Sequence, residues 1–252
     1  QRKQLQQVVL NHVADRAGIV VKSDAASVRD EKVKVLRSLR NVEIGETVTG
    51  QYRAGAISGK AVPGYDDELE KASTTETFVA IKAHVDNWRW KGVPFYLRTG
   101  KRLPERVTEI VVQFRSVPHS IFADKGAKMI PNRLVIGIQP KENISLSLMA
   151  KVPGLDREGI RLRSVPLDIA MPDAFTGTHS RIAYERLLLD LIEGGKTLFV
   201  RRDEVEAQWE WIDAIRALWS EQGLEPKTYT AGSWGPSAAI ALAERDGVTW
   251  HE

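Results

Sequence analysis

The sequence reads as an α+β fold: one large, mainly antiparallel sheet with helices packed on one face, in a single domain. Three observations predict it. Strand-like runs crowd the middle of the chain, between about residues 48 and 165. Helical patterns lie toward the two ends. Strands and helices do not alternate, so a parallel sheet built from βαβ units is not expected.

Taken in order, Leu5, Val8, Val9, His12 and Val13 predict a helix over 1–17 that Gly18 ends. His12 sits on or beside the apolar face and reads as a packed or partly exposed histidine. A second helix is expected to open at Ser27, whose hydroxyl suits an N-cap, with Asp30 and Glu31 placed for its dipole. Val28, Val33, Val35, Leu36 and Leu39 form its apolar stripe, and Lys32, Lys34, Arg37 and Arg40 its solvated side. A strand over 48–53 follows, then a flexible glycine-rich loop containing Pro63-Gly64-Tyr65. The segment 77–85 alternates as a strand, with Phe78 and Ala80 on one face and Val79, Ile81, Ala83 and Val85 on the other. Trp88 and Trp90 are expected to pack at a sheet edge.

Residues 92–106 organise the rest. Gly92-Val93-Pro94 makes a turn, Phe95-Tyr96-Leu97 reads as a buried strand, and Gly100 breaks it. Lys101, Arg102 and Arg106 follow, with Pro104 stiffening the turn between them and Arg98 just upstream. Another strand at 110–114 comes next, so the basic loop is held between two strands. A loop fixed in this way can present ammonium and guanidinium groups to a phosphate. The bland alternative is a hairpin whose turn happens to be charged.

Beyond it, 134–138 and 144–149 read as a strand pair joined by Gln139-Pro140-Lys141-Glu142-Asn143, with one more strand near 160–165. Gln139, at a strand end, could offer a neutral amide to sugar hydroxyls. The helix predicted over 181–192 is apolar nearly all round and is expected to be deeply packed. Asp203 starts another helix, with Val205, Trp209, Ile212, Ile215 and Trp219 at helical spacing. Residues 229–236 read as a loop and 238–245 as a short helical turn.

Composition narrows the function. A net charge of +3 over 252 residues, with cations spread out and no aromatics interleaved, argues against nucleic acid but suits attraction of a phosphorylated metabolite. With no cysteines, disulfides and thiolate metal sites are excluded, and no His or acidic spacing suggests another metal site. No apolar run approaches membrane-spanning length and no signal-peptide pattern appears, so a cytoplasmic protein is expected. The chain starts at Gln1 without a Met, as expected of a processed chain or a piece of a longer one. The terminal His251-Glu252 pair reads as exposed, and no Gly-x-Gly-x-x-Gly or Walker-type loop is present.

Several blocks together carry a resemblance. Arg29-Asp30-Glu31-Lys32-Val33-Lys34-Val35-Leu36, Gly50-Gln51-Tyr52, Thr75-Glu76-Thr77-Phe78, Gly92-Val93-Pro94-Phe95 and Arg98-Thr99-Gly100-Lys101 come first. Ile138-Gln139-Pro140, Ala183-Tyr184-Glu185-Arg186-Leu187-Leu188-Leu189-Asp190 and Ala231-Gly232-Ser233-Trp234-Gly235-Pro236 follow. In this order, over about 27–252, they resemble the C-terminal domain of the glucose-6-phosphate dehydrogenase family. The resemblance implies a role in oxidising glucose 6-phosphate to 6-phosphogluconolactone with NADP, the entry step of the pentose phosphate pathway. It implies a homodimer or higher homo-oligomer formed through the sheet. It assigns substrate binding to Lys101 and Arg106, the Gly-Lys lysine and the basic residue five positions on, and to Gln139 of the Gln-Pro turn. Arg98 is the candidate in this chain for a cofactor contact, with NADP held mainly by an N-terminal nucleotide-binding domain that this sequence lacks.

Two departures accompany the resemblance. The family's catalytic histidine lies in a Gln-Asn-His-x-Leu-Gln segment, and the matching region Gln1-Arg2-Lys3-Gln4-Leu5-Gln6 has none, so no catalytic residue is assigned and the chain alone is expected to be inactive. Val107, Gly137 and Trp234 stand where some members place cations for a second, structural NADP, so no such site is expected. The alternative function is a non-catalytic homologue that binds a phosphosugar or an enzyme partner.

Overall fold

The computed structural model describes residues 24–117, 129–153, 162–170, 183–196 and 198–251. It comprises two compact units: the described residues up to 105 with those from 183 to 250, and the described residues between 106 and 170 with His251. The helix expected over 1–17, with His12, lies outside the described residues, as does the start of the strand expected at 160.

In chain order the first unit opens with helix α1 (Ala25–Arg37). Its cap is Asp24, not Ser27: the Asp24 carboxylate accepts the Ser27 N–H at 2.9 Å and the Ser27 hydroxyl at 2.8 Å. The start moves upstream because a carboxylate caps as well as a hydroxyl, which leaves Asp30 and Glu31 beyond the first turn. Strand β1 (Thr47–Arg53) is followed by β2 (Gly55–Ile57) and β3 (Lys60–Val62), which pair as a hairpin where a flexible loop was expected. Ser58 and Gly59 turn it, both with positive φ, the backbone that suits a two-residue hairpin turn. A short helix α2 (Tyr65–Leu69) leads to β4 (Phe78–His84) and β5 (Pro94–Gly100).

The second unit holds β6 (Thr108–Gln113), β7 (Arg133–Gln139), β8 (Asn143–Lys151) and β9 (Leu162–Ala170), an antiparallel sheet in that order. The first unit then resumes with α3 (Ala183–Glu193), α4 (Arg202–Glu221), β10 (Lys227–Thr230) and α5 (Ser237–Glu244).

The class is α+β and its pairing mainly antiparallel, as predicted. Among the described residues the strands form two four-stranded sheets and a hairpin. The first sheet runs β10-β1-β4-β5, and its one parallel pair joins β1 to β10, a strand that the sequence hides inside an apparent loop. Helices cover both faces of this sheet, because β4 alternates apolar residues to either side. Ile81 and Ala83 pack with Leu36 of α1 and Ala207, Trp211, Ile212 and Ile215 of α4. Phe78 and Ala80 pack with Val48, Tyr52, Tyr229 and, from α5, Ala239 and Leu242. Trp211 is buried and its indole N–H donates to the Arg40 carbonyl at 2.9 Å.

At the start of α4, buried Glu204 accepts the Arg201 N–H at 3.1 Å, and Arg201 bridges to Asp30 of α1 at 2.7 Å. Glu204→Ala is expected to lower stability by about 1–3 kcal/mol, since it orphans a helix-end donor. Glu204→Gln, which keeps an acceptor, should recover most of that in urea titrations.

Two expectations about apolar surface fail. Trp88 does not pack but is fully exposed, while Trp90 meets Phe95 edge-on at 5.2 Å. Helix α3 is not deeply packed: Tyr184, Leu188, Leu191 and Ile192 are exposed, Ile192 by 81%. An all-round apolar pattern records a need for cover, and the described residues do not supply it here.

Candidate functional site

The lysine turn is built by the first sheet. Gly100 stands opposite Phe78 in the β4–β5 ladder. A Cβ on Gly100 would lie 2.8 Å from Phe78 Cδ2, so a side chain there would force the strands apart. Gly235, with φ +101°, lies against the same ring so closely that a Cβ would overlap it. Phe78 is completely buried between these contacts, 5.5 Å from the ring of Tyr229.

The ladder continues one step past β5, where the Lys101 N–H donates to Thr77 O at 2.8 Å. The Lys101 carbonyl accepts the Tyr229 hydroxyl at 2.7 Å. Arg102 then takes a left-handed backbone with φ 53°, and its carbonyl accepts the Gly232 N–H at 2.7 Å. That conformation costs about 1–2 kcal/mol for a residue with a Cβ, and the fastenings on either side offset it. The Arg102 side chain is fastened too: it reaches Glu68 at 2.6 Å, and Glu68 accepts the Tyr52 hydroxyl at 2.9 Å. Its hydrogen bond from Arg102 holds the Glu68 carboxyl below the usual carboxylate range. Arg102 therefore serves the turn, where the sequence had counted it among cations available to an anion. No carboxylate among the described residues pairs with the Lys101 ammonium. Arg98, expected at the cofactor, has its guanidinium 4.9 Å and 4.7 Å from the ring centroids of Trp234 and Trp250.

In the second unit, Arg106 is exposed and stands two residues before β6. Gln139, also exposed, ends β7 and pairs with Thr108, the first residue of β6. The structure thus brings Arg106 and Gln139 to one end of the second sheet. The hairpin alternative for 92–114 fails: among the described residues β5 pairs with β4 and β6 with β7, in different sheets. His251 is half-buried with Nδ1 2.9 Å from Glu109, where the sequence reads as an exposed terminus. No cluster of His, Asp or Glu among the described residues could hold a metal, and no described helix is long and apolar enough to cross a membrane.

Sequence reasoning missed Thr77, Glu68 and Tyr229, which position the turn without belonging to it. The one legible hint was a tyrosine between small and polar residues in 227–233; its strand pairs with residues more than 170 positions away, and local pattern does not carry that.

Residues 5–251 match the family described as glucose-6-phosphate dehydrogenase, C-terminal domain. The chain is 59% identical to the glucose-6-phosphate 1-dehydrogenase of Zymomonas mobilis over 98% of its own length and 53% of that protein's. It is 52% identical to the enzyme of Rhizobium meliloti, over 98% of this chain and 52% of the relative. A solved glucose-6-phosphate dehydrogenase in complex with its substrate glucose 6-phosphate superposes with a TM-score of 0.87 at 33% identity, covering 100% of this chain and 51% of that one. The chain spans about half the length of the curated relatives it matches. On its sequence and on its fold alike, the chain belongs to the glucose-6-phosphate dehydrogenase C-terminal domain family.

Proposed function

We propose that this chain is the substrate-binding and oligomer-forming part of an NADP-dependent glucose-6-phosphate dehydrogenase. Lys101 and Arg106 provide cations to the sugar phosphate, and Gln139 provides an amide to the sugar hydroxyls. The observation that carries this reading is the lysine turn: both peptide groups of Lys101 are hydrogen-bonded while no carboxylate among the described residues neutralises its ammonium. A fixed cation of this kind recognises a dianion without first having to order its backbone.

The described residues of this chain fit NADP poorly. The strand-to-helix turn between β10 and α5 holds Gly232 and Gly235. The Gly232 N–H is already given to the Arg102 carbonyl and Gly235 packs on the Phe78 ring, so neither is open to a pyrophosphate, and Arg98 lies against two indoles. NADP, the hydride acceptor, is therefore assigned to the remainder of the dehydrogenase. The proton on the sugar C1 hydroxyl is likewise assigned to no residue of this chain.

The test is NADP reduction by the dehydrogenase carrying this chain, with glucose 6-phosphate and with glucose. If two charge-assisted contacts hold the phosphate, kcat/KM should favour the phosphorylated sugar by at least about 100-fold. Comparable values for the two sugars would sink the reading.

Self-association through the second sheet is supported by its residue pattern. Ile110 and Val112 of β6, Leu134 and Ile136 of β7, Ile144, Leu146 and Leu148 of β8, and Val165, Leu167 and Ile169 of β9 are in register across the four strands. They make one continuous apolar face, with Leu167 and Ile169 each 53% exposed. Leu167→Lys should weaken dimerisation by at least about 10-fold, the equivalent of one large apolar side chain left uncovered. Light scattering across a dilution series reads this directly; an unchanged mass profile would place the interface elsewhere.

A further inference from the structure

We propose that Tyr229 is a positioning residue for the substrate phosphate, acting through the backbone of Lys101. This inference rests on the assignment of Lys101 to the phosphate and deepens it.

The hydrogen-bond chain has one consistent direction. The Tyr52 N–H donates to Thr77 Oγ1 at 3.1 Å. Thr77 Oγ1 lies 3.1 Å from Tyr229 Oη and 3.4 Å from the Gly50 carbonyl, so its proton is better used on the phenol oxygen. The phenol has one proton and two carbonyls near it: Lys101 O at 2.7 Å and Thr77 O at 3.4 Å. The shorter contact takes it, and Thr77 O is already occupied by the Lys101 N–H. The relay therefore runs from the β1 backbone through Thr77 and Tyr229 to the Lys101 carbonyl.

A buried hydroxyl is costly unless its bonds are made. Tyr229 is only 3% exposed, and its ring is wedged against Phe78 at 5.5 Å and Tyr52 at 6.3 Å. The ring cannot follow a shifting turn, so the turn must follow the ring. Burial pushes the phenol up to about 12, so it keeps its proton and stays a donor at working pH. With Thr77 on the N–H side of Lys101, Tyr229 on its carbonyl side and Gly232 on the next carbonyl, the direction of the Lys101 Cα–Cβ bond is fixed. The residue that finishes this arrangement lies 128 positions away in sequence.

The test uses Tyr229→Phe, which keeps the packed ring and deletes the bond, in the dehydrogenase carrying this chain. Lys101→Ala and the double variant are measured beside it. The expected result is a KM for glucose 6-phosphate about 2- to 10-fold higher in Tyr229→Phe with kcat nearly unchanged. Competitive inhibition by inorganic phosphate should weaken by a similar factor. The double variant should be no worse than Lys101→Ala alone, because the tyrosine acts only through that lysine. A normal KM in Tyr229→Phe, or effects that multiply in the double variant, would overturn the positioning role while leaving the function intact. A normal KM in Lys101→Ala would instead overturn the function on which it rests. Should Tyr229→Phe lose stability, the inorganic-phosphate titration still decides: a generally loosened fold has no reason to lose its added phosphate effect in the Lys101→Ala background.

Discussion

Replacing Lys101 by alanine should raise the KM for glucose 6-phosphate by roughly 10- to 150-fold, and Arg106→Ala should do the same. Each substitution removes one charge-assisted hydrogen bond, worth about 1.5–3 kcal/mol, and each 1.4 kcal/mol is about tenfold in affinity. The phosphate lies at the far end of the sugar from the reacting carbon, so the loss should fall mainly on KM, with kcat reduced less. Steady-state kinetics on the dehydrogenase carrying this chain make the measurement, with glucose as the control substrate whose KM should not move. The two cations differ in support: Lys101 has its peptide groups fastened, whereas Arg106 is exposed ahead of β6. Lys101→Arg should therefore recover little, since a longer, forked cation is presented from the same fixed backbone. Arg106→Lys should recover more. Unchanged KM values in both alanine variants would remove the phosphate from this turn.

Phe78→Ala should be the most destabilising single truncation in the first unit. The ring is completely buried, Gly100 and Gly235 close over it, and Tyr229 packs on it. Truncation of a buried phenylalanine costs about 3–5 kcal/mol, and in a protein of this size each kcal/mol moves the melting temperature by about 2–4 °C. A fall of about 6–20 °C is expected in a thermal scan. A fall below about 3 °C would show that the neighbouring segments collapse into the space. Filling the cavity from the glycine side is not a remedy at Gly235, whose φ of +101° a side chain rarely adopts.

Much of the frame was readable from local pattern. The alternation across Phe78–His84 named both faces of β4 correctly, because a two-residue period survives whatever covers the strand. The strand pair Arg133–Gln139 and Asn143–Lys151 was legible from its turn residues. The Gly-Lys turn announced itself through a cation placed immediately after a strand-breaking glycine. What pattern could not show was partnership over distance. β10 is four residues long and acquires its meaning from β1. The commitment of Arg102 to Glu68 depends on α2, in a stretch that read as a loop. The exposure of α3 was invisible for the complementary reason: a leucine-rich sequence specifies that a surface needs covering and says nothing about what covers it.

The contact between Tyr229 and Lys101 also sets an order of events during synthesis. Lys101 emerges from the ribosome 128 residues ahead of the tyrosine that fastens it, a delay of roughly 6–26 s at about 5–20 residues per second. Throughout that interval the nascent chain carries Lys101, the residue proposed to bind the phosphate, on an unfinished turn. A polypeptide released before β10 is made would keep Lys101 and its neighbours in sequence, yet its grip on the sugar would be slack. If Lys101 binds the substrate phosphate as proposed, a chain terminated anywhere before β10 would be poor at substrate capture although the lysine itself is present.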